Sequence, residues 1–135
     1  MRTSLAVAVA SLLTACATTY GLPQEERSRS FEAPRDVVWR AALASLEDMG
    51  IALVQVEEDH GQIVGRTKGS IWDLKGHVVR IVLEDMGRGR VRVEANAESA
   101  SDDSIVDFGK ARGIVRDFLA TLDEKVSEYE RAPRP

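Results

Sequence analysis

The first fifteen residues differ from the rest of the chain, and they determine how much sequence is left to fold. Arg2 precedes an apolar run from Leu5 to Leu13, and small residues lead from that run to Cys16. The run is too short to span a bilayer, which takes about 20 apolar residues. A positive residue, a short apolar run and a small-residue cleavage site are typical of a secretory signal peptide. We therefore predict that residues 1–15 are a signal peptide and that 120 of the 135 residues form the mature protein.

Cys16 indicates a particular kind of export signal. Residues Leu13, Thr14, Ala15 and Cys16 resemble the lipobox of bacterial lipoprotein signal peptides, which follows the pattern Leu-small-small-Cys. The resemblance implies transfer of diacylglycerol to the Cys16 sulfur, cleavage after Ala15 and acylation of the new amino terminus. The alternative is an ordinary secretory signal followed by a chance cysteine. Ala17 stands where many inner-membrane lipoproteins carry aspartate, which implies the periplasmic face of the outer membrane, with the inner membrane as the alternative.

The charge and the cysteine count narrow the possible partners. The net charge of −4 gives no general attraction to nucleic acid or to anionic lipid headgroups. Membrane attachment is therefore predicted to come from the acylated Cys16, because two acyl chains already anchor a protein stably. Cys16 is the single cysteine, so no disulfide forms within the chain. Oligomeric state is left open.

The mature chain is long enough for one domain. Residues 16–28 are predicted to be the lipidated amino terminus and a flexible tether, because they are rich in turn formers and have no sustained period. Residues 29–131 are predicted to form a single α+β domain, and residues 132–135 a disordered tail.

Two helices are predicted within this domain. Pro34 suits the start of a helix and Gly50 suits its end. Between them, apolar residues recur at spacings of three and four; they are Val38, Trp39, Ala42, Leu43, Leu46 and Met49. Residues 104–107 fit a capping box at the start of a second, longer helix. Its predicted apolar stripe comprises Ala111, Val115, Phe118, Leu122, Val126 and Tyr129.

The strands are predicted from runs of β-branched residues between turn signals. They cover residues 29–33, 51–57, 62–68, 78–85 and 90–98, with a hairpin turn at 86–89. The last strand alternates apolar and polar residues, which is typical of an antiparallel sheet with one buried and one solvated face. The predicted order is β-α-β-β-β-β-α, an antiparallel sheet of four to five strands with two helices on one face.

The first half of the domain resembles a known family. The matching stretches begin at Phe31, Val38, Leu46 and Asp59 and run as Phe-Glu-Ala-Pro, Val-Trp, Leu-Glu-Asp-Met-Gly-Ile and Asp-His-Gly-Gln-Ile. They resemble the repeated helix-grip domains of the C lipoprotein of the outer-membrane β-barrel assembly machine, over residues 29–68. The resemblance implies a helix-grip fold in the cell envelope. The family carries two such domains after a long unstructured segment, whereas this chain has one domain and a short tether.

No residue pattern predicts catalysis, a metal site or a cofactor. His60 and His77 lack further ligands at metal-binding spacing. The serines lack the Gly-x-Ser-x-Gly context of a nucleophile. We therefore predict that the protein is not an enzyme.

Seven residues are candidates for binding a partner. Arg66, Lys68, Arg80 and Arg92 are predicted on the solvated sheet face, where the alternative is a charge ladder with Glu84 and Glu94. Trp72, in a predicted loop, either plugs the core or anchors a partner. Arg112 and Arg116 are like charges one helical turn apart, which is unfavourable unless an anion or an acidic partner neutralises them.

Together these patterns predict a membrane-anchored periplasmic lipoprotein that acts as a non-catalytic adaptor or accessory subunit of a cell-envelope complex, with an envelope protein as partner. The alternative is a carrier that holds a small apolar ligand or lipid between the helices and the sheet. A carrier needs an open cavity there, whereas an adaptor can fill that space with Trp39, Phe108 and Phe118.

Overall fold

The structure is a computed structural model that describes residues 22–69, 76–100 and 109–132. Helices and strands follow one another in the predicted order, preceded by one short additional helix. The elements are α1 (Gln24–Arg27), β1 (Ser28–Phe31), α2 (Arg35–Asp48), β2 (Ala52–Glu57), β3 (Gln62–Arg66), β4 (His77–Gly87), β5 (Arg90–Ser99) and α3 (Lys110–Arg131). A single 3₁₀ turn, Glu58–His60, joins β2 to β3.

The five strands form one antiparallel sheet in the order β1-β5-β4-β3-β2. Rows of side chains across the sheet follow its register, and Ile63, Ile81 and Ala95 form one such row on the buried face. Both long helices cover that face, so the predicted α+β class and its two-layer arrangement are confirmed. Strands β1 and β2 are the two edges of the sheet.

The core lies between the sheet and the helix pair. Leu46 of α2 and Phe118 and Leu122 of α3 are fully buried against Ile81 and Val93 of the sheet. Each such side chain contributes about 1.5–3 kcal/mol to folding. The predicted apolar stripes of both helices are confirmed, with Leu43, Met49, Ala111 and Tyr129 at their half-buried margins. A 2.8 Å ion pair between Lys125 and Asp48 also links α3 to the end of α2, and this hydrogen bond raises the pKa of Lys125.

The ends of α2 follow from two residues. The carbonyl of Pro34 accepts hydrogen bonds from the backbone N–H groups of Val37 and Val38, so Pro34 lies just before the first helical residue. At the other end Gly50 has φ of +72°, Gly50 N–H donates to Glu47, and Ile51 N–H donates to Leu46. These two bonds form a Schellman motif, which confirms the predicted glycine cap and turns the chain sharply into β2.

The folded part begins earlier than the sequence predicts. Leu22 is only 5% exposed and packs in the core, and α1 occupies the last part of the predicted tether. Arg27 forms a 3.2 Å ion pair with Glu94 of β5. Residues 22–28 therefore belong to the folded domain rather than to the predicted tether.

Two other differences concern the start of α3 and the length of the β4–β5 turn. Helix α3 begins at Lys110, after Gly109 with φ of +85°, and the predicted capping box at 104–107 lies outside the described residues. The β4–β5 turn is shorter than predicted: Gly87 pairs with Arg90, and Arg88 and Gly89 between them both have positive φ. Two positive φ angles are the geometry of a type I′ hairpin turn.

No helix in the described residues is long and apolar enough to cross a membrane.

Candidate interaction surface

Strand β2 exposes its apolar side chains. Leu53, Val54 and Val56 are 48%, 64% and 44% exposed, although the composition of the strand predicts burial. β2 pairs with β3 on one side only, and no strand among the described residues pairs with its other side. Unpaired main-chain groups along such an edge are a template for a further strand.

A β-bulge decides where these side chains point. The register shifts between Leu53, which pairs with Gly65, and Gln55, which pairs with Val64. Val54 is therefore the extra residue, and Leu53 and Val56 lie on the same face of the sheet although they are three residues apart. That face is the one the helices cover elsewhere.

A groove of about 570 Å³ runs between α2 and the beginning of β2. Its apolar lining comes from Leu43 and Ala44 of α2 and from Ile51 and Leu53. Arg40 and Glu47 supply charged groups at its rim. The exposed edge and this groove, here called the β2 surface, form a continuous apolar area on one side of the molecule.

The turn after β2 is acidic and held in place from α2. Nη2 of Arg35 donates a 2.7 Å hydrogen bond to the main-chain carbonyl of Glu58, and the Arg35 guanidinium lies 5.9 Å from the centre of the Trp39 ring. Arg35 thus fixes the turn through its main chain and leaves the carboxylates of Glu58 and Asp59 exposed. Glu57 is half-buried, and its Oε2 atom lies 3.4 Å from Nδ1 of His60.

The predicted cationic residues of the sheet do share one face. Arg66, Arg80 and Arg92 lie on the outer face of β3, β4 and β5, and Lys68 is exposed just beyond β3. Acidic side chains pair with Arg92 and Arg80. Nη2 of Arg92 is 2.7 Å from Oε2 of Glu84, and Nη2 of Arg80 is 3.5 Å from Oε1 of Glu98. This pairing is what a solvated charge ladder requires, and a binding role for this face stays a prediction.

The remaining candidates lie apart from the β2 surface. Arg112 and Arg116 are exposed on the first turns of α3, and neither pairs with a carboxylate in the described part of the chain. Arg112 borders a small cleft beside Leu22 and Arg27. Trp72 lies outside the described residues.

The histidines are well separated. His77 is buried on β4, where its backbone N–H donates a 2.8 Å bond to Oγ1 of Thr67, while His60 is exposed in the acidic turn. Within residues 22–69, 76–100 and 109–132, no three His, Cys, Asp or Glu side chains are grouped closely enough to hold a metal ion.

The almost unbroken apolar run of β2 is the one sequence feature associated with the β2 surface, and by itself it predicts a buried strand. Residues Ile51 to Val56 are apolar almost throughout, without the alternation seen in β5. A continuous apolar strand is usually covered on both faces. Here the strand is at an edge, so the uncovered part of that apolar run remains available to a partner.

Comparisons with known proteins give little further information. No protein-family model matches the chain, and no curated protein matches it. Among solved structures, the crystal structure of TTHA0849 from Thermus thermophilus is similar at 18% identity and a TM-score of 0.37. That match covers 75% of this chain and 94% of the Thermus protein. A similarity at this level carries no argument about function.

Proposed function

We propose that the protein is a lipoprotein anchored through Cys16 at the periplasmic face of the outer membrane. There it acts by contact, as a non-catalytic adaptor or accessory subunit of a cell-envelope complex. The β2 surface is the observation that carries the proposal. The lipobox-like residues before Cys16 support the anchor.

The two edges of the sheet differ in a way that supports binding at β2. Edge strand β1 has only four residues and presents Ser28, Arg29 and Ser30, with α1 beside it. Short length and charge are the usual protection of an edge strand. β2 presents valines and a leucine beside an apolar groove, which is typical of a protein contact site.

Packing in the core favours an adaptor over a carrier. A carrier holds its ligand in a largely preformed cavity. In this fold the corresponding space lies between the helices and the sheet, and Leu46, Ile63, Ile81 and Phe118 fill it as fully buried side chains. Trp39 is buried there as well, whereas Phe108 lies outside the described residues.

Site-specific photo-crosslinking in living bacteria tests the proposal. A photoreactive amino acid replaces Leu53 or Val56 in the full chain, and a matched control replaces Val82, which is 40% exposed on the other sheet face. We expect positions 53 and 56 to crosslink one or a few envelope proteins and position 82 to yield none of them. Recovery of a lipid or small molecule in place of a protein supports the carrier instead. The absence of any crosslinked product contradicts both the adaptor and the carrier.

Cys16→Ala is the second arm of the experiment. We expect this variant to remain unprocessed by the lipoprotein-specific peptidase, to leave the membrane fraction on alkaline extraction and to lose most of the crosslinks from position 53. A variant that still fractionates with membranes and matures at the same site contradicts the lipid anchor.

A further inference from the structure

We propose that β2 accepts an extended segment of a partner protein as a sixth strand of the sheet. The segment runs antiparallel to β2, places apolar side chains against the groove beside α2, and carries a lysine or arginine at its amino-terminal end. This inference rests on the proposed function, because it names the chemistry of the partner that the β2 surface would hold.

The main chain of β2 supports a strand as the occupant. β2 is six residues long and already pairs with β3, so its opposite side presents a six-residue edge of about 20 Å. An added strand obtains its affinity from hydrogen bonds along such an edge and its specificity from pockets for alternate side chains. Antiparallel pairing is favoured because it is slightly more stable per residue.

The bulge determines which side chains of the segment are apolar. It places Leu53 and Val56 together on the helix-covered face, next to the groove lined by Leu43 and Ile51. Every second side chain of an added strand points to that same face. The segment therefore alternates, with apolar residues toward the groove and polar residues toward the outer face.

Charge determines which end of the segment is basic. Glu57 ends β2, and Glu58 and Asp59 follow it, while Arg35 satisfies the main chain of this turn rather than its carboxylates. In an antiparallel pair, the amino-terminal end of the segment lies beside the carboxyl-terminal end of β2. A lysine or arginine there meets the acidic turn.

The same charges disfavour a second copy of this chain as the occupant. If two β2 strands paired antiparallel, the acidic turn of each copy would lie beside the beginning of β2 in the other. That position adjoins Glu47 and Arg40, which both line the groove, and Asp48, which is already paired with Lys125. The acidic turn of a second copy would therefore meet positive and negative groups in near balance, whereas the basic end of a partner segment meets that turn with the opposite charge and fits the surface better.

Selection from a displayed library of random ten-residue peptides tests this inference. The target is the full chain, extracted from membranes in detergent. We expect the enriched peptides to begin with lysine or arginine and to alternate apolar and polar residues thereafter. Their affinity should fall at least tenfold for Leu53→Glu combined with Val56→Glu, and should stay unchanged for Val82→Glu, an exposed valine on the other face.

Backbone methylation of an enriched peptide separates a strand from other binding modes. An added strand uses the N–H groups of alternate residues, so N-methylation of one alternating set should abolish binding and that of the other set should not. Equal losses for both sets would indicate a helical or irregular ligand and overturn the inference. Enrichment that ignores Leu53 and Val56, or dimerisation of the chain that the Leu53→Glu and Val56→Glu pair abolishes, would overturn it too.

The two proposals fail in different ways. If the peptides bind as expected while Cys16→Ala leaves membrane attachment intact, the lipoprotein proposal fails and the strand-binding edge remains. If position 53 crosslinks an envelope protein in cells but selection gives no β2-dependent peptide, the adaptor stands and the sixth strand is wrong.

Discussion

Gly65 is the single residue whose lack of a side chain shapes the contact between the core and the β2 surface. It lies on β3 next to Ile51, the residue with which the chain leaves α2. A Cβ atom at position 65 would lie 2.6 Å from Cγ2 of Ile51 and 3.2 Å from the carbonyl oxygen of Ala52. The missing side chain therefore lets the α2–β2 connection pack closely on the sheet, which fixes one wall of the groove.

Gly65→Ala is predicted to destabilise the fold. The added methyl group must push Ile51 or the β2 main chain aside, and overpacking of this kind costs about 1–3 kcal/mol. Gly113→Ala is the matched control, because a Cβ at that position in α3 meets nothing within 4 Å. Replacing an unhindered helical glycine should raise the free energy of unfolding by about 0.5–1 kcal/mol. Urea unfolding of both variants checks the prediction, and a change of the same sign in both would contradict it.

Helix α1 is the element that the sequence misses. It has four residues, too few to show a period, and Leu22 before it is a lone apolar residue beside Pro23. The structure gives this segment a packing role, because Leu22 is buried and α1 contacts α3, β5 and the short strand β1. A segment that composition assigns to a tether instead covers part of the core.

Leu22→Ala is accordingly predicted to cost roughly 2–5 kcal/mol, as for other buried leucines. Glu25→Ala, an exposed change in the same segment, should leave the midpoint of thermal unfolding almost unchanged. Circular dichroism melting of the two variants measures the difference. Equal midpoints for the two variants would contradict a packing role for residues 22–27 and would support the tether that their composition predicts.

The elements that the sequence predicts well carry local signals. Pro34 and Gly50 bound α2, alternation from Val91 to Ala97 defines β5, and the stripe from Val115 to Val126 defines the buried face of α3. The candidate surface depends on non-local facts. Which strand lies at the edge of the sheet, and that a bulge turns Leu53 and Val56 to one face, follow from pairing between distant segments rather than from any window of sequence.

For the whole molecule, the position of the anchor relative to the β2 surface matters. The described part of the chain begins at Leu22, beside β5 and α3, while β2 lies three strands away from β5 at the far edge of the sheet. With strands about 4.8 Å apart, that separation is roughly 14 Å across the sheet. The proposed anchor and the proposed binding edge therefore do not compete for space.

Lengthening the tether is predicted to weaken binding in cells without changing the binding site. Ten Gly/Ser residues inserted between residues 21 and 22 should lower the yield of crosslinks from position 53 roughly fourfold, because effective concentration falls with about the −3/2 power of linker length. Peptide affinity in detergent should not change. The same insertion after Ala132 is the control, and equal yields from the two insertions would contradict a role for tether length.

The burial of Leu22 limits how far an acylated Cys16 would let the domain travel. Only residues 17–21 separate the two positions, and the chain between them spans roughly 20 Å when fully extended. The domain would then diffuse as a thin layer under the bilayer, searching in two dimensions rather than through the compartment. A partner that meets it there must itself reside at that membrane or bring an extended segment into the layer.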